Sequence, residues 1–208
     1  MSRRLVNKTS LWCGLAILIA VGGFALGPQE EGYDEASNQV ANEAADQMLW
    51  QAALEGQIDA MAAAVEQGAR IESVDADGRT ALMYAAFNGH DKSVQWLLDR
   101  GAAVDTRDAS GWTPLMFCSS GPFASTAQLL LDHGANPNDV GKVEGWTALM
   151  FAAGEGQVEV IRVLLKYGAD PSIVDTDGDA AADHAAKTHH TEAEKLLRNA
   201  TASQSGQD

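Results

Sequence analysis

The sequence predicts an all-α protein built as a solenoid of about five stacked helix pairs. Three observations carry that reading. "GWTPLMFC" at 111–118 and "GWTALMFA" at 145–152 are nearly the same eight letters. Marker residues recur at one period: Thr80, Thr113 and Thr147 step by 33 and 34 residues. Gly68, Gly101, Gly134 and Gly168 step by 33, 33 and 34, and Gly78, Gly111, Gly145 and Gly178 by 33, 34 and 33. Between the markers, apolar residues fall at i, i+3 and i+4, the spacing of one helix face. A period of this length marks a repeat architecture.

In chain order, residues 1–27 come first. Arg3, Arg4 and Lys8 precede the uncharged run "LWCGLAILIAVGGFAL" at 11–26, and the acidic stretch "GPQEEGYDE" follows. Basic start, apolar centre and polar sequel are the pattern of an export signal. The 16-residue run falls short of the roughly 18 to 20 residues of a comfortable transmembrane helix. Small-residue cleavage positions occur at Gly23-Phe24-Ala25 and Ala25-Leu26-Gly27. Cleavage is the first expectation, and a retained membrane anchor at 11–26 the alternative. Both put the rest of the chain outside the cytoplasm, periplasmic or secreted, because the positive flank stays inside. Residues 28–43 are small and polar and are expected to form a linker.

The repeats fill residues 44–200, in units of about 44–76, 77–109, 110–143, 144–176 and 177–200. An inner unit opens on a turn, Asp77-Gly78, with Thr80 as N-cap and Leu82, Ala85 and Ala86 on one face of a short helix. Gly89 ends that helix. Val94, Leu97 and Leu98 repeat the spacing in a second helix, matched by Ala127, Leu130 and Leu131 and by Ile161, Leu164 and Leu165. One such pair cannot bury both faces, so neighbours must share a core, and the alanines, with Ala152 and Ala153, allow close approach. The extra residue of the third unit lies between Gly134 and Gly145, in a loop where it does least harm. Gly121-Pro122-Phe123 replaces the usual inter-helix turn there and is expected to shift the following helix. The first unit keeps Leu49, Ala52, Ala53, Met61, Ala64 and Val65 without the threonine. The last keeps Ala182, Ala185, Ala186 and Leu197 but has Glu194 and Arg198 where inner units have Ile161 and Leu165, as a terminal cap requires. The tail 201–208 is expected to be disordered.

The segments "TALMYAAFNGH", "TPLMFC", "TALMFAAGEGQ", "LLDRGAAVD", "LLLDHGANPN" and "LLKYGADPS" resemble the ankyrin repeat, of the kind found in exported bacterial proteins. The resemblance implies a curved stack of antiparallel helix pairs with β-hairpin loops projecting to one side. Met83, Met116 and Met150 stand where the family has a histidine that ties units together by hydrogen bonds. A thioether is a poor substitute, so the stack is expected to lean on apolar packing.

Charge narrows the function classes. The chain carries a formal −15, and removing the three N-terminal cations leaves residues 28–208 at −18. Such a surface repels nucleic acid and anionic lipid and suits a basic protein partner. Of two cysteines, only Cys118 lies beyond residue 27, so no internal disulfide is available to the exported part, and Cys118 fills a tightly packed alanine position. Asp175, Asp177 and Asp179 alternate as in a calcium loop, but Ala180 and Ala186 replace its glycine and its bidentate glutamate. His184, His189 and His190 lie near Glu192 and Glu194, and His190 and Glu194, one turn apart, are the best pair for a metal clip. A solvated cap is the simpler reading, a metal-binding or hydrolytic protein using this histidine cluster is the alternative, and no catalytic residue, cofactor or metal site is assigned.

The remaining surface is a binding surface. Arg79, Trp112, Trp146 and Asp179 precede the threonine position at the base of each hairpin, with Tyr84, Phe87 and Asn88 in the first helices. The two tryptophans are either partner anchors or packing against the next loop, whereas Phe117 and Phe151 are read as core. The expectation is a monomeric, non-catalytic module that binds a protein, a basic one suiting its charge, through a concave face and the hairpin tips.

Overall fold

The computed structural model describes residues 35–205. Ten helices run through them: α1 (Glu35–Glu55), α2 (Ile58–Glu66), α3 (Ala81–Phe87), α4 (Asp91–Leu98), α5 (Pro114–Ser119), α6 (Ala124–Asp132), α7 (Ala148–Gly154), α8 (Val158–Lys166), α9 (Ala181–Lys187) and α10 (Thr191–Ser205). They form five pairs in two layers. α1, α3, α5, α7 and α9 pack on one another in order, and α2, α4, α6, α8 and α10 do the same behind them. The core runs continuously between the layers. Leu82, Leu115 and Leu149 from the first helices meet Leu97, Leu130, Ile161 and Leu164 from the second, all at most 1% exposed. Ala85, Ala86, Ala152 and Ala153 are wholly buried, which lets adjacent first helices approach closely.

The threonine caps are real. Thr80 Oγ1 accepts from Met83 N at 3.3 Å, Thr113 from Met116 N at 3.4 Å and Thr147 from Met150 N at 3.3 Å. In two units the methionine answers: Met83 Sδ accepts from Thr80 N, and Met150 Sδ from Thr147 N, each at 3.4 Å. The thioether thus closes a capping box within its own unit, where glutamate or glutamine usually serves. It is also buried in the core, as expected.

The turn between paired helices sits in the left-handed region. Gly56, Gly89 and Gly156 have φ of +73°, +67° and +67°, and His189 takes the same place at +64°. Pro122 occupies this position in the third unit and cannot adopt that φ. The second helix is nevertheless not displaced: α6 starts at Ala124, in repeat register with Asp91 and Val158. The change is absorbed by α5, which stops at Ser119.

The loops project as tight turns. Among the described residues there are no β-strands, only an isolated antiparallel bridge between Val174 and Ala180. Neighbouring tips are joined by one backbone hydrogen bond each: Ala109 N to Asp77 O (2.8 Å), Lys142 N to Ser110 O (2.8 Å) and Thr176 N to Glu144 O (3.0 Å). The extra residue of the third loop lies between Gly141 and Trp146. Asp75–Arg79, Asp108–Trp112 and Asp175–Asp179 close over four residues, whereas Gly141 N reaches Trp146 O over five.

Both ends differ from expectation. Residues 35–43, expected in the linker, belong to α1, and residues 201–205, expected to be disordered, belong to α10. Neither stretch contains glycine or proline, so each helix propagates from its packed half at little cost. Thr201 Oγ1 and Ser203 Oγ donate back to Leu197 O and Asn199 O. The export or anchor segment 1–27 and the first part of the linker lie outside the described residues. No helix among the described residues is long and apolar enough to cross a membrane.

Two stability measurements check this account. Thr147→Ala removes an N-cap and is expected to cost about 1 kcal/mol, read as a lower urea midpoint. His189→Gly relieves a left-handed non-glycine residue and is expected to stabilise by about 1 kcal/mol, read as a higher one.

Candidate interaction surface

Equivalent positions of successive units line up across the first-helix face. The hairpin-base position carries Arg79, Trp112, Trp146 and Asp179. The next carries Tyr84, Phe117, Phe151 and His184, then Phe87, Ser120, Gly154 and Lys187, then Asn88, Gly121, Glu155 and Thr188. Rings from the first three positions form one edge-to-face row. Centroid distances are 6.3 Å for Phe87–Phe117, 5.7 Å for Trp112–Phe117, 4.9 Å for Trp112–Phe151, 5.0 Å for Trp146–Phe151 and 4.6 Å for Trp146–His184. Each tryptophan therefore bridges the ring of its own unit and that of the next. Such pairs contribute about 0.5–1.5 kcal/mol each beyond area burial.

The row is part packing and part surface. Trp112, Trp146, Phe117 and Phe151 are half-buried. Phe117 and Phe151, read as core from the sequence, are only partly buried and pack edge-to-face with Trp112 and Trp146. Phe87, at the end of the row, is 48% exposed. Asn88 is exposed, and its Nδ2 donates to Leu54 O at 2.7 Å, tying two units together.

The two ends of the row are clamped alike. Asp75 Oδ1 accepts from Asp77 N (2.9 Å) and Arg79 N (2.8 Å), and Oδ2 from Tyr84 Oη at 2.5 Å. Asp175 Oδ1 accepts from Asp177 N and Asp179 N, both at 2.9 Å, and Oδ2 pairs with His184 Nε2 at 2.9 Å. One carboxylate thus folds the loop tip and fixes it to the first helix. Burial alone would raise both carboxyls. For Asp75 the bonds from Tyr84, Arg79 and Asp77 outweigh it, and for Asp175 those from Asp179, His184 and Asp177, so both lie below the usual range. Arg79 and Lys187 are themselves paired, Arg79 Nη2 with Asp77 Oδ2 at 3.1 Å and Lys187 with Asp179.

The same geometry assigns the residues weighed for other chemistry. The three aspartates at 175–179 build the turn and its clamp. His184 is turned onto Asp175 and Trp146, the His190 ring covers the Gly156 backbone, and His189 forms the turn. Among the described residues no three His, Cys, Asp or Glu side chains come together as a metal site. Cys118 is fully buried, its thiol donates to Leu115 O at 3.2 Å, and burial pushes its pKa up to about 12.

A pocket of about 250 Å³ opens at the Phe87 end, lined by Leu54, Arg79, Met83, Tyr84, Phe87 and Phe117. The sequence reading singled out Arg79, Tyr84 and Phe87 but missed Leu54 and Met83 as walls. It also missed the clamps, although an aspartate nine residues before a Tyr or His, at Asp75–Tyr84 and Asp175–His184, is a signal that could have found them.

The clamps set an acid limit. A carboxyl whose pKa is lowered by folding stabilises the fold above its unfolded value, about 3.9, and that contribution is lost as pH falls through the folded value. Unfolding midpoints are therefore expected to drop as pH falls below about 4, with Asp175→Asn flattening the dependence. An unchanged profile in that variant would remove Asp175 from the account.

A search of curated proteins finds no match. A family model for ankyrin repeats (3 copies) matches residues 49–141 and again 125–208, which together span most of the chain and all but the outer part of α1 among the packed helices. The chain belongs to the ankyrin-repeat family.

Proposed function

We propose that this chain is a non-catalytic binding module that works outside the cytoplasm and holds a protein partner through its concave first-helix face and hairpin tips. Ankyrin repeats are protein–protein interaction modules. The observation that carries the reading for this chain is the half-buried aromatic row, with Trp112 and Trp146 in adjacent units and Phe87 open at its end. Aromatic side chains of this kind are the usual anchors of an interface.

Charge supports a partner that is basic on balance. Asp77, Glu144 and Asp177 stand exposed at three hairpin tips, in a chain of net −15, and such a field raises the encounter rate with a cationic protein. The charge pattern of residues 1–27 supports export. Retention of residues 11–26 would make the same module a membrane-tethered adaptor, a difference that sequencing the N-terminus of the exported form decides. The module acts as a monomer.

Affinity purification of the exported form from its own cells, beside the folded Trp112→Ala/Trp146→Ala variant, tests the reading. The expected result is a stoichiometric protein partner with the wild type that is lost with the variant. Equal recovery with both, or no partner with either, would count against the concave face.

A further inference from the structure

The pocket beside Phe87 is chemically unlike its surroundings. Its walls are Leu54, Met83, Tyr84, Phe87 and Phe117, and Arg79 is the one charged side chain that lines it. About 250 Å³ is smaller than the roughly 300–1,000 Å³ of small-molecule sites and matches one large side chain better than a cofactor. Phe87, at 48% exposure, is the only strongly exposed aromatic among the described residues, so one wall of the pocket is left uncovered.

Arg79 supplies the polar half of the argument. The equivalent position in the next two units is Trp112 and Trp146, so the cation belongs to this unit and not to the repeat. Its Nη2 holds Asp77, but the pair is open to solvent, with the two side chains 39% and 62% exposed, and exchanges readily with another carboxylate. Its Nε is buried with no hydrogen-bond partner. That nitrogen is enclosed by protein, so the edge of the guanidinium that a partner's carboxylate can meet is the one now held by the exposed Asp77. The nearest other carboxylate, Asp75, is already occupied by Tyr84 and two turn amides.

We propose that this pocket takes one Phe- or Leu-sized side chain from a segment of the partner, with an Asp or Glu beside it in the partner's sequence whose carboxylate pairs with the open Nη edge of the Arg79 guanidinium in place of Asp77. The proposal rests on the concave-face reading and deepens it. It also runs against the general field: a partner drawn in by the acidic shell is admitted at this one place by an acidic-apolar pair. A carboxylate suits the guanidinium fork in a way a hydroxyl or amide does not, and elsewhere on the face an acidic segment would be repelled.

The test uses the exported chain and a display library of random twelve-residue peptides, with the enriched peptides synthesised with a fluorophore and titrated by anisotropy. Expected are peptides with an apolar residue adjacent to Asp or Glu. Arg79→Met should weaken them about tenfold or more with its unfolding midpoint unchanged, and Phe87→Ala several-fold in protein that circular dichroism shows to be folded. Arg79→Glu should prefer the same peptides with the acidic residue replaced by Lys. Enrichment of Lys or Arg beside the apolar residue, indifference to Arg79→Met, or no enrichment at all would overturn the proposal. Peptides weakened by Trp112→Ala but indifferent to Arg79→Met would keep the concave face and remove the pocket. Peptides indifferent to both would remove both.

Discussion

Everything in this molecule depends on the contact between one helix pair and the next. A pair of helices seven to nine residues long, such as α3 with α4 or α7 with α8, is too short to be stable alone and has no core of its own. It acquires one only by pressing its alanine-lined face on a neighbour's. Ala85, Ala86, Cys118, Ala152, Ala153 and Ala185, all without exposure, are the points at which the first helices touch. Any larger side chain there would open the seam for two units at once. The single tip-to-tip backbone bond at each inner junction then fixes the angle at which that contact is made.

That dependence explains what the sequence made legible. A contact repeated four times imposes the same residues four times, so the period, the pairing of helices, the caps and the site of the extra residue could be read from spacing alone. The two ends could not, because no repeated contact governs them. Glu35 to Glu43 and Thr201 to Ser205 are helical through propagation from packed neighbours, not through a motif. The exchange of Gly for Pro122 looked disruptive, yet a single residue's retreat of α5 absorbs it. The role of Met83 and Met150 as acceptors was invisible because sulfur is a weak and unusual partner in a capping box.

The candidate face was legible as a list and not as an arrangement. Arg79, Trp112, Trp146, Tyr84 and Phe87 could be placed at equivalent positions from the alignment of units. That Trp112 lies between Phe117 and Phe151 is a relation between units, which spacing does not reveal. The arrangement also means that the rings available to a partner help to hold the stack together. Removing one ring disturbs two units, so this surface is rigid before it binds, and a partner need not supply the cost of ordering it.

The near-identity of residues 111–118 and 145–152 reaches beyond the folded chain. Two nearly matching octets 34 residues apart give α5 and α7 nearly the same contact residues, so one whole unit can be removed or duplicated between equivalent points. Because α5 and α7 present matching surfaces to their neighbours, such an event joins compatible faces and leaves the stack closed at both ends. Length can therefore change by whole units without passing through a misfolded intermediate, and each added unit extends the face by one more set of the same positions.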